Sequence, residues 1–351
     1  MTETTKIALN PNYKRIATEE AFAPQAVLDM YRKLYESHTL GDPGFDSLWG
    51  FYSTSKAARP SFIREKLADL DALRIADMDA AGIDHQIIAL TSPGVQVFER
   101  DIAVSLARES NDVLADAVKR HPTRFTGLCA IAPQAPELAA QELERCLKLD
   151  MRGIIIHSHT FGEYLSDQKF WAIFEAAEAL QLPIYLHPNT PPKNMIGPFV
   201  EAGLDGAIFG FGVETGLHLL RIITAGVFDR FPRLTMIVGH MGEALPYWMY
   251  RLDYMHEAGV RAARYECMKP LKKKVSDYLR ENVYITNSGV AWEPAVKFAQ
   301  QVLGVDRVMY AMDYPYQYTP REVLDMDAMD MSLEHKREFY QGVAEKVFKL
   351  R

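Results

Sequence analysis

Two adjacent carboxylates close the first apolar run of the chain, Arg15-Ile16-Ala17-Thr18-Glu19-Glu20-Ala21-Phe22. Downstream, three of the ten histidines, His157, His187 and His240, each stand at the end of another apolar run, and Asn287 and Asp313 end two more. Carboxylate oxygens and imidazole nitrogens are donors for divalent metal ions. Glu19, His187 and Asp313 make a set of two oxygens and one nitrogen. With no thiolate and oxygens in the majority, Mn²⁺ or Mg²⁺ competes well with Zn²⁺ for such a set. Taken singly, each histidine could instead cap its strand by bonding backbone, since imidazole serves many roles. A random scatter would not place three of them at such ends.

For these residues to meet, the apolar runs must be strands whose tips converge. The runs are Val/Ile/Leu-rich and continuous rather than alternating, as in parallel strands buried on both faces. They span 15–22, 83–91, 124–132, 153–157, 183–187, 234–239, 283–286 and 307–312, nearly all with a helical stretch after them. Eight such units predict one α/β domain over 1–351, a (β/α)₈ TIM barrel, with the site at the C-terminal strand tips. Glu19 or Glu20 would then point into the mouth. A doubly wound sheet is the alternative; it would carry a glycine-rich phosphate turn after strand one, where Thr18-Glu19-Glu20-Ala21 stands instead. Between the first two strands, 38–60 reads as an irregular insertion loop near the mouth, carrying Trp49, Phe51, Tyr52 and Arg59; long loops of this kind are often lids. The periodicity of 61–81 predicts one helix, ended by Gly82 as a C-cap.

Composition narrows the function. The 351 residues carry a net charge of −7 and no extended basic patch, which argues against nucleic acid. The densest positive run, Lys269-Pro270-Leu271-Lys272-Lys273-Lys274, reads as the solvated face of a helix. No apolar run is long enough to span a membrane. Met1–Asn10 is polar, unlike a secretory signal. Cys129, Cys146 and Cys267 are widely spaced, as expected of reduced thiols in a cytoplasmic protein.

Five motifs, in order and over almost the whole chain, carry a resemblance: Ile16-Ala17-Thr18-Glu19-Glu20, Asp77-Met78-Asp79-Ala80-Ala81-Gly82-Ile83-Asp84, Leu186-His187-Pro188, Val238-Gly239-His240-Met241-Gly242-Glu243 and Met312-Asp313-Tyr314-Pro315. The sequence resembles the amidohydrolase superfamily, in its aminocarboxymuconate-semialdehyde-decarboxylase-like branch. Within that branch it most resembles the aromatic-acid decarboxylases that act on 5-carboxyvanillate and γ-resorcylate. The resemblance implies an amidohydrolase-type barrel, one divalent ion, with Mn²⁺ favoured, and no organic cofactor. It makes Glu19, His187 and Asp313 the metal ligands and His240 a catalytic histidine beside them. Two departures stand out. The superfamily usually has a histidine two residues after its first ligand, where Ala21 stands here. A metal-binding lysine after strand four is replaced by His157-Ser158-His159. Both point away from a two-metal hydrolase.

The implied activity is a carboxy-lyase reaction without oxidation, 5-carboxyvanillate to vanillate plus CO₂, in the catabolism of lignin-derived aromatics. The expected partner is a small ortho-hydroxybenzoate-type acid whose carboxylate and phenolate chelate the ion. Protonating the ring carbon first makes CO₂ a good leaving group, and Asp313 is the expected donor, with His240 relaying or orienting. Arg59 and Arg251 suit carboxylate recognition, although most arginines form surface salt bridges. Relatives place an arginine near position 251 in a neighbouring subunit, which implies a homodimer or higher homo-oligomer. Tyr52, Thr91 and Tyr316 could bond ring substituents, and Phe22, Trp49, Phe51 and Phe211 could wall the ring. Two other readings are a metal-dependent hydrolase of a lactone or amide, which takes up water instead of releasing CO₂, and a binding scaffold, which would hold no metal.

Overall fold

A computed structural model describes residues 12–350 of the chain, so the polar stretch Met1–Asn10 lies outside it. Among the described residues there are nine short strands: β1 (Ile16–Phe22), β2 (His85–Leu90), β3 (Phe125–Gly127), β4 (Cys129–Ala130), β5 (Ile154–His157), β6 (Ile184–His187), β7 (Met236–Val238), β8 (Val283–Thr286) and β9 (Val308–Met309). All pairings are parallel, in the orders β1-β2-β3 and β4-β5-β6-β7-β8-β9. β3 and β4 are one strand interrupted at Leu128, which donates its N–H to Ile88 while Cys129 donates to Gly153. The circle closes where Thr18 N–H bonds the Tyr310 carbonyl at 3.1 Å and Ala21 N–H bonds that of Tyr314 at 2.7 Å. The eight predicted strands therefore form the closed barrel with shorter ends, helices packing outside.

Three local expectations are corrected. The stretch 38–60 is largely helical: Pro43–Thr54 and Ala58–Ala68 are helices. Asp42 caps the first by accepting from Gly44 N–H and Phe45 N–H, Pro43 supplies the preset first-turn φ, and Phe45 and Trp49 are buried. The predicted helix over 61–81 is two, Ala58–Ala68 and Ala72–Ala81. The Asp69 carboxylate accepts from the N–H groups of Asp71 and Arg74, at 3.0 and 2.9 Å, and that local turn competes with a continuous helix. Gly82 does end the second in the left-handed conformation, φ 65°. The run Lys269–Lys274 is not helical. Pro270 lacks an N–H, and Lys272 is tied to Asp229 through both its backbone and its ammonium. No helix among the described residues is long and apolar enough to cross a membrane.

Candidate active site

The strand tips sort the predicted donors into two groups. His157 bonds the Leu90 carbonyl through Nε2 at 2.8 Å, and His159 bonds the Thr190 carbonyl at 2.9 Å; both are buried and hold backbone. The Asn287 side chain accepts from Ala311 N–H at 2.9 Å. His187 and His240 behave differently. Their Nε2 atoms lie 3.3 and 3.5 Å from the same atom, Glu19 Oε1.

The tautomers follow from the other ring nitrogens. His187 Nδ1 sits 2.9 Å from the Pro188 carbonyl, which can only accept, so Nδ1 carries the proton. His240 Nδ1 sits 2.9 Å from Glu243 Oε1, also an acceptor. In the neutral rings both Nε2 atoms thus turn lone pairs towards a carboxylate oxygen. Glu19 Oε1 is itself buried with no hydrogen-bond partner. Facing lone pairs repel unless a proton or a cation stands between them. Glu19, His187 and the nearby Asp313 have the donor chemistry to hold a divalent ion there, and the orphaned oxygen is where one fits.

Without an ion, the charges favour a proton in that gap. Burial pushes Glu19 up, but His240 and His187 outweigh it and bring the carboxyl down to about 2. Burial would depress His240, yet Glu19, Glu243 and Asp313 push it up to about 10. Burial and the Glu19 charge push Asp313 up to about 7, against the pull of both histidines. A bound divalent cation acts the other way, favouring ionised carboxylates and neutral imidazoles.

The backbone that carries these groups is unusual. His240, Met241, Gly242, Glu243 and Ala244 all have left-handed φ, between 51° and 69°, and Asp313 has φ 62°. Such conformations cost on the order of 1 kcal/mol or more for each residue with a Cβ and cluster at functional sites. The left-handed turn is what swings Glu243 back under His240. Gly239, just before it, has to be glycine: a Cβ there would lie 2.4 Å from Glu19 Oε2.

A cavity of about 720 Å³ opens onto His240 and Asp313, with Phe211, Trp248, Val290 and Gln317 among its walls. Beside Asp313, four predicted substrate residues come together. Thr91 Oγ1 and the Tyr316 hydroxyl are 2.7 Å apart, Tyr52 packs edge-on to Tyr316, and the Arg59 guanidinium donates to the Tyr316 carbonyl. None of these four is among the walls of that cavity, and neither is the fifth, Arg251, which is exposed on the helix Leu245–Arg261. Of the predicted aromatic walls, only Phe211 lines the cavity. Trp49 is buried and donates to the Ser92 carbonyl, Phe22 is in the core and Phe51 is exposed.

Sequence reasoning passed over Tyr185, Thr286 and Glu214, and assigned no role to Glu243. Glu243 had a signal, three positions after His240. Among the described residues, the donors that crowd to within 4.8 Å of one another are Cys129, Glu142 and Cys146, outside the site. Both thiols are fully buried, and Arg145 and Asn111 already saturate the Glu142 carboxylate. That cluster is a satisfied network. The Glu19 set is more open, and its key oxygen is unsatisfied.

Comparisons with known proteins agree with this geometry. The family model described as Amidohydrolase matches residues 56–350. A γ-resorcylate decarboxylase of Polaromonas sp. is 35% identical over 297 residues, covering 82% of this chain and 90% of that protein. The structure of 5-carboxyvanillate decarboxylase from Novosphingobium aromaticivorans, complexed with manganese and 4-hydroxy-3-methoxy-5-nitrobenzoic acid, superposes with a TM-score of 0.97 at 58% identity, covering 100% of both chains. That of 5-carboxyvanillate decarboxylase from Sphingomonas paucimobilis gives 0.91 at 39% identity, covering 96% of this chain and 99% of the other. Barrel, strand tips and chain-long similarity lead to one statement: the chain belongs to the amidohydrolase family, in its decarboxylase branch.

Proposed function

We propose that this chain is a carboxy-lyase that converts 5-carboxyvanillate to vanillate and CO₂ with one divalent metal ion. The observation that carries the metal assignment is Glu19 Oε1, buried, unpartnered and faced by the Nε2 atoms of His187 and His240. Glu19, His187 and Asp313 would hold the ion. Their oxygen majority favours Mn²⁺, with Mg²⁺ or Zn²⁺ also compatible. Bound, the ion supplies Lewis-acid stabilisation of the negative charge on substrate oxygens. The ligand of the Novosphingobium enzyme supports the substrate: it is vanillate bearing a nitro group at the ring position where 5-carboxyvanillate bears the carboxylate that leaves.

The chain's own groups then do the following. Thr91, Tyr316, Tyr52 and Arg59 gather on one side of Asp313, where they can orient the ring substituents. Asp313, when protonated, donates to the ring carbon that bears the leaving carboxylate. The C–C bond then breaks and its electron pair restores the aromatic ring as CO₂ departs. His240, held by Glu243, orients Asp313 and relays to it a new proton from solvent, because the one Asp313 gave stays on the product. Arg251 is exposed and is not a wall residue of its own cavity, and it is assigned to the site of a second copy. Tyr247 and Tyr250 on the same helix are 76% and 84% exposed, with Trp248 and Tyr254 beside them, an apolar face that suits a homodimer or higher homo-oligomer. Three unbridged cysteines fit a cytoplasmic enzyme.

The test is a panel of ortho-hydroxybenzoates offered to the Mn²⁺-loaded protein, following ultraviolet absorbance and trapped CO₂. Vanillate and CO₂ should appear in equal amounts from 5-carboxyvanillate. No turnover of any member, with hydrolysis of a lactone instead, overturns the assignment. Asp313→Asn should keep the ion and lose turnover by about 100- to 10,000-fold. Retained metal with unchanged turnover removes Asp313 as the donor.

A further inference from the structure

The Glu19 carboxylate has two oxygens in very different surroundings. Oε1 is the unpartnered atom facing the imidazoles. Oε2 receives two hydroxyl groups: Tyr185 donates to it from β6, and Thr286 donates from the end of β8 at 3.2 Å. The two hydroxyl oxygens are 3.1 Å apart. Each hydroxyl has one proton, so with both protons on Oε2 neither donates to the other. The Thr286 oxygen is in turn fixed by Ser288 N–H at 3.3 Å. On a further side lies the Gly239 backbone, where a Cβ would come within 2.4 Å of Oε2 and 3.2 Å of Oε1. All of these groups are buried.

We propose that Tyr185 and Thr286 are positioning residues for the metal: they engage Oε2 so that Glu19 offers the ion Oε1 alone, as a single-oxygen ligand. Without them the carboxylate could rotate about its last bond and chelate through both oxygens. That would take up a coordination position which a bidentate substrate needs. The inference rests on the metal reading above and adds how Glu19 binds. Neither residue lines the cavity.

The test measures Mn²⁺ binding to the metal-stripped protein, without substrate, by the electron paramagnetic resonance signal of free Mn²⁺. Tyr185→Phe removes one hydroxyl at constant ring volume and should weaken binding about 10- to 100-fold, the usual effect of losing a ligand's supporting hydrogen bond. Thr286→Val should weaken it similarly, and Thr286→Ser, which keeps the hydroxyl, should restore it. This second pair decides the matter if Tyr185→Phe does not fold. Crystals of the Mn²⁺-loaded parent should show one Glu19 oxygen on the metal. Unchanged affinity in folded Tyr185→Phe and Thr286→Val, or both Glu19 oxygens on the metal in the parent, overturns the proposal. A parent that binds no Mn²⁺ overturns the metal reading itself and this inference with it.

Discussion

Glu20 holds Asp313 without touching it. Its two carboxylate oxygens accept the backbone N–H groups on either side of the aspartate, from Met312 at 2.9 Å and Tyr314 at 3.1 Å. Asp313 is thereby pinned in its left-handed conformation at the strand tip. The two adjacent glutamates of β1 divide the work: Glu19 faces the imidazoles, and Glu20 shapes the loop that brings the last carboxylate to them.

Glutamine cannot replace Glu20. Its carbonyl could satisfy one N–H, but its amide NH₂ would then confront the other N–H, donor to donor. Glu20→Gln should fold, yet let the 312–314 loop shift. We expect Mn²⁺ affinity to fall about 10- to 100-fold, by the same free-Mn²⁺ measurement. Parent-like affinity would show that the loop is held by other means.

Glu214 offers a test by pH. It is fully buried on the helix Gly210–Thr224, and neither oxygen makes a well-formed hydrogen bond. Burial pushes it up to about 8; the Ser158 and Tyr164 hydroxyls only partly oppose this, and the Glu243 charge adds to it. A carboxyl raised in the fold costs stability. The cost is absent below the ordinary value near 4.5, grows as pH rises towards 8, and is complete above that. Glu214→Gln, which does not titrate, should therefore unfold at the parent's temperature at pH 5 and be more stable by about 1–3 kcal/mol at pH 8.5. A difference that does not change with pH would mean that Glu214 is ionised in the fold.

Arg251 can be tested by complementation. Arg251→Ala and Asp313→Asn should each be nearly inactive. If Arg251 serves a partner's site, a refolded mixture regains activity, because in each hybrid dimer one site has both residues intact. Random pairing makes that roughly one quarter of all sites. No recovery would confine Arg251 to its own chain or to the surface. Replacing Tyr247 and Tyr250 together by glutamate should give monomers in sedimentation and abolish the same recovery.

The barrel was legible because parallel strands buried on both faces leave continuous apolar runs, and the donors were legible because they end those runs. Sequence alone could not divide them. His157 and His187 look alike in their runs, yet one bonds the Leu90 carbonyl and the other faces Glu19. Tyr185 within Ile184-Tyr185-Leu186 reads as one more core aromatic, since only the closed barrel brings its hydroxyl to Glu19. Thr286 reads as a strand end, and Glu214 as a solvated helix position. The helix Pro43–Thr54 was hidden by Gly41, Pro43 and Gly44, whose density suggests a loop; the Asp42-Pro43 start signal was there to be read.

The barrel's closing seam also has a consequence for biosynthesis. Glu20 and Met312 are separated by 292 residues along the chain, and the hydrogen bonds that close the circle span a similar distance. Glu19 leaves the ribosome long before Asp313 does. A growing chain that stops short of Asp313 has the histidines but neither the final carboxylate nor the seam that holds it. Ion capture must therefore follow synthesis of Asp313 and closure of the seam, and ribosome-stalled fragments ending before residue 313 should take up no Mn²⁺ at this site.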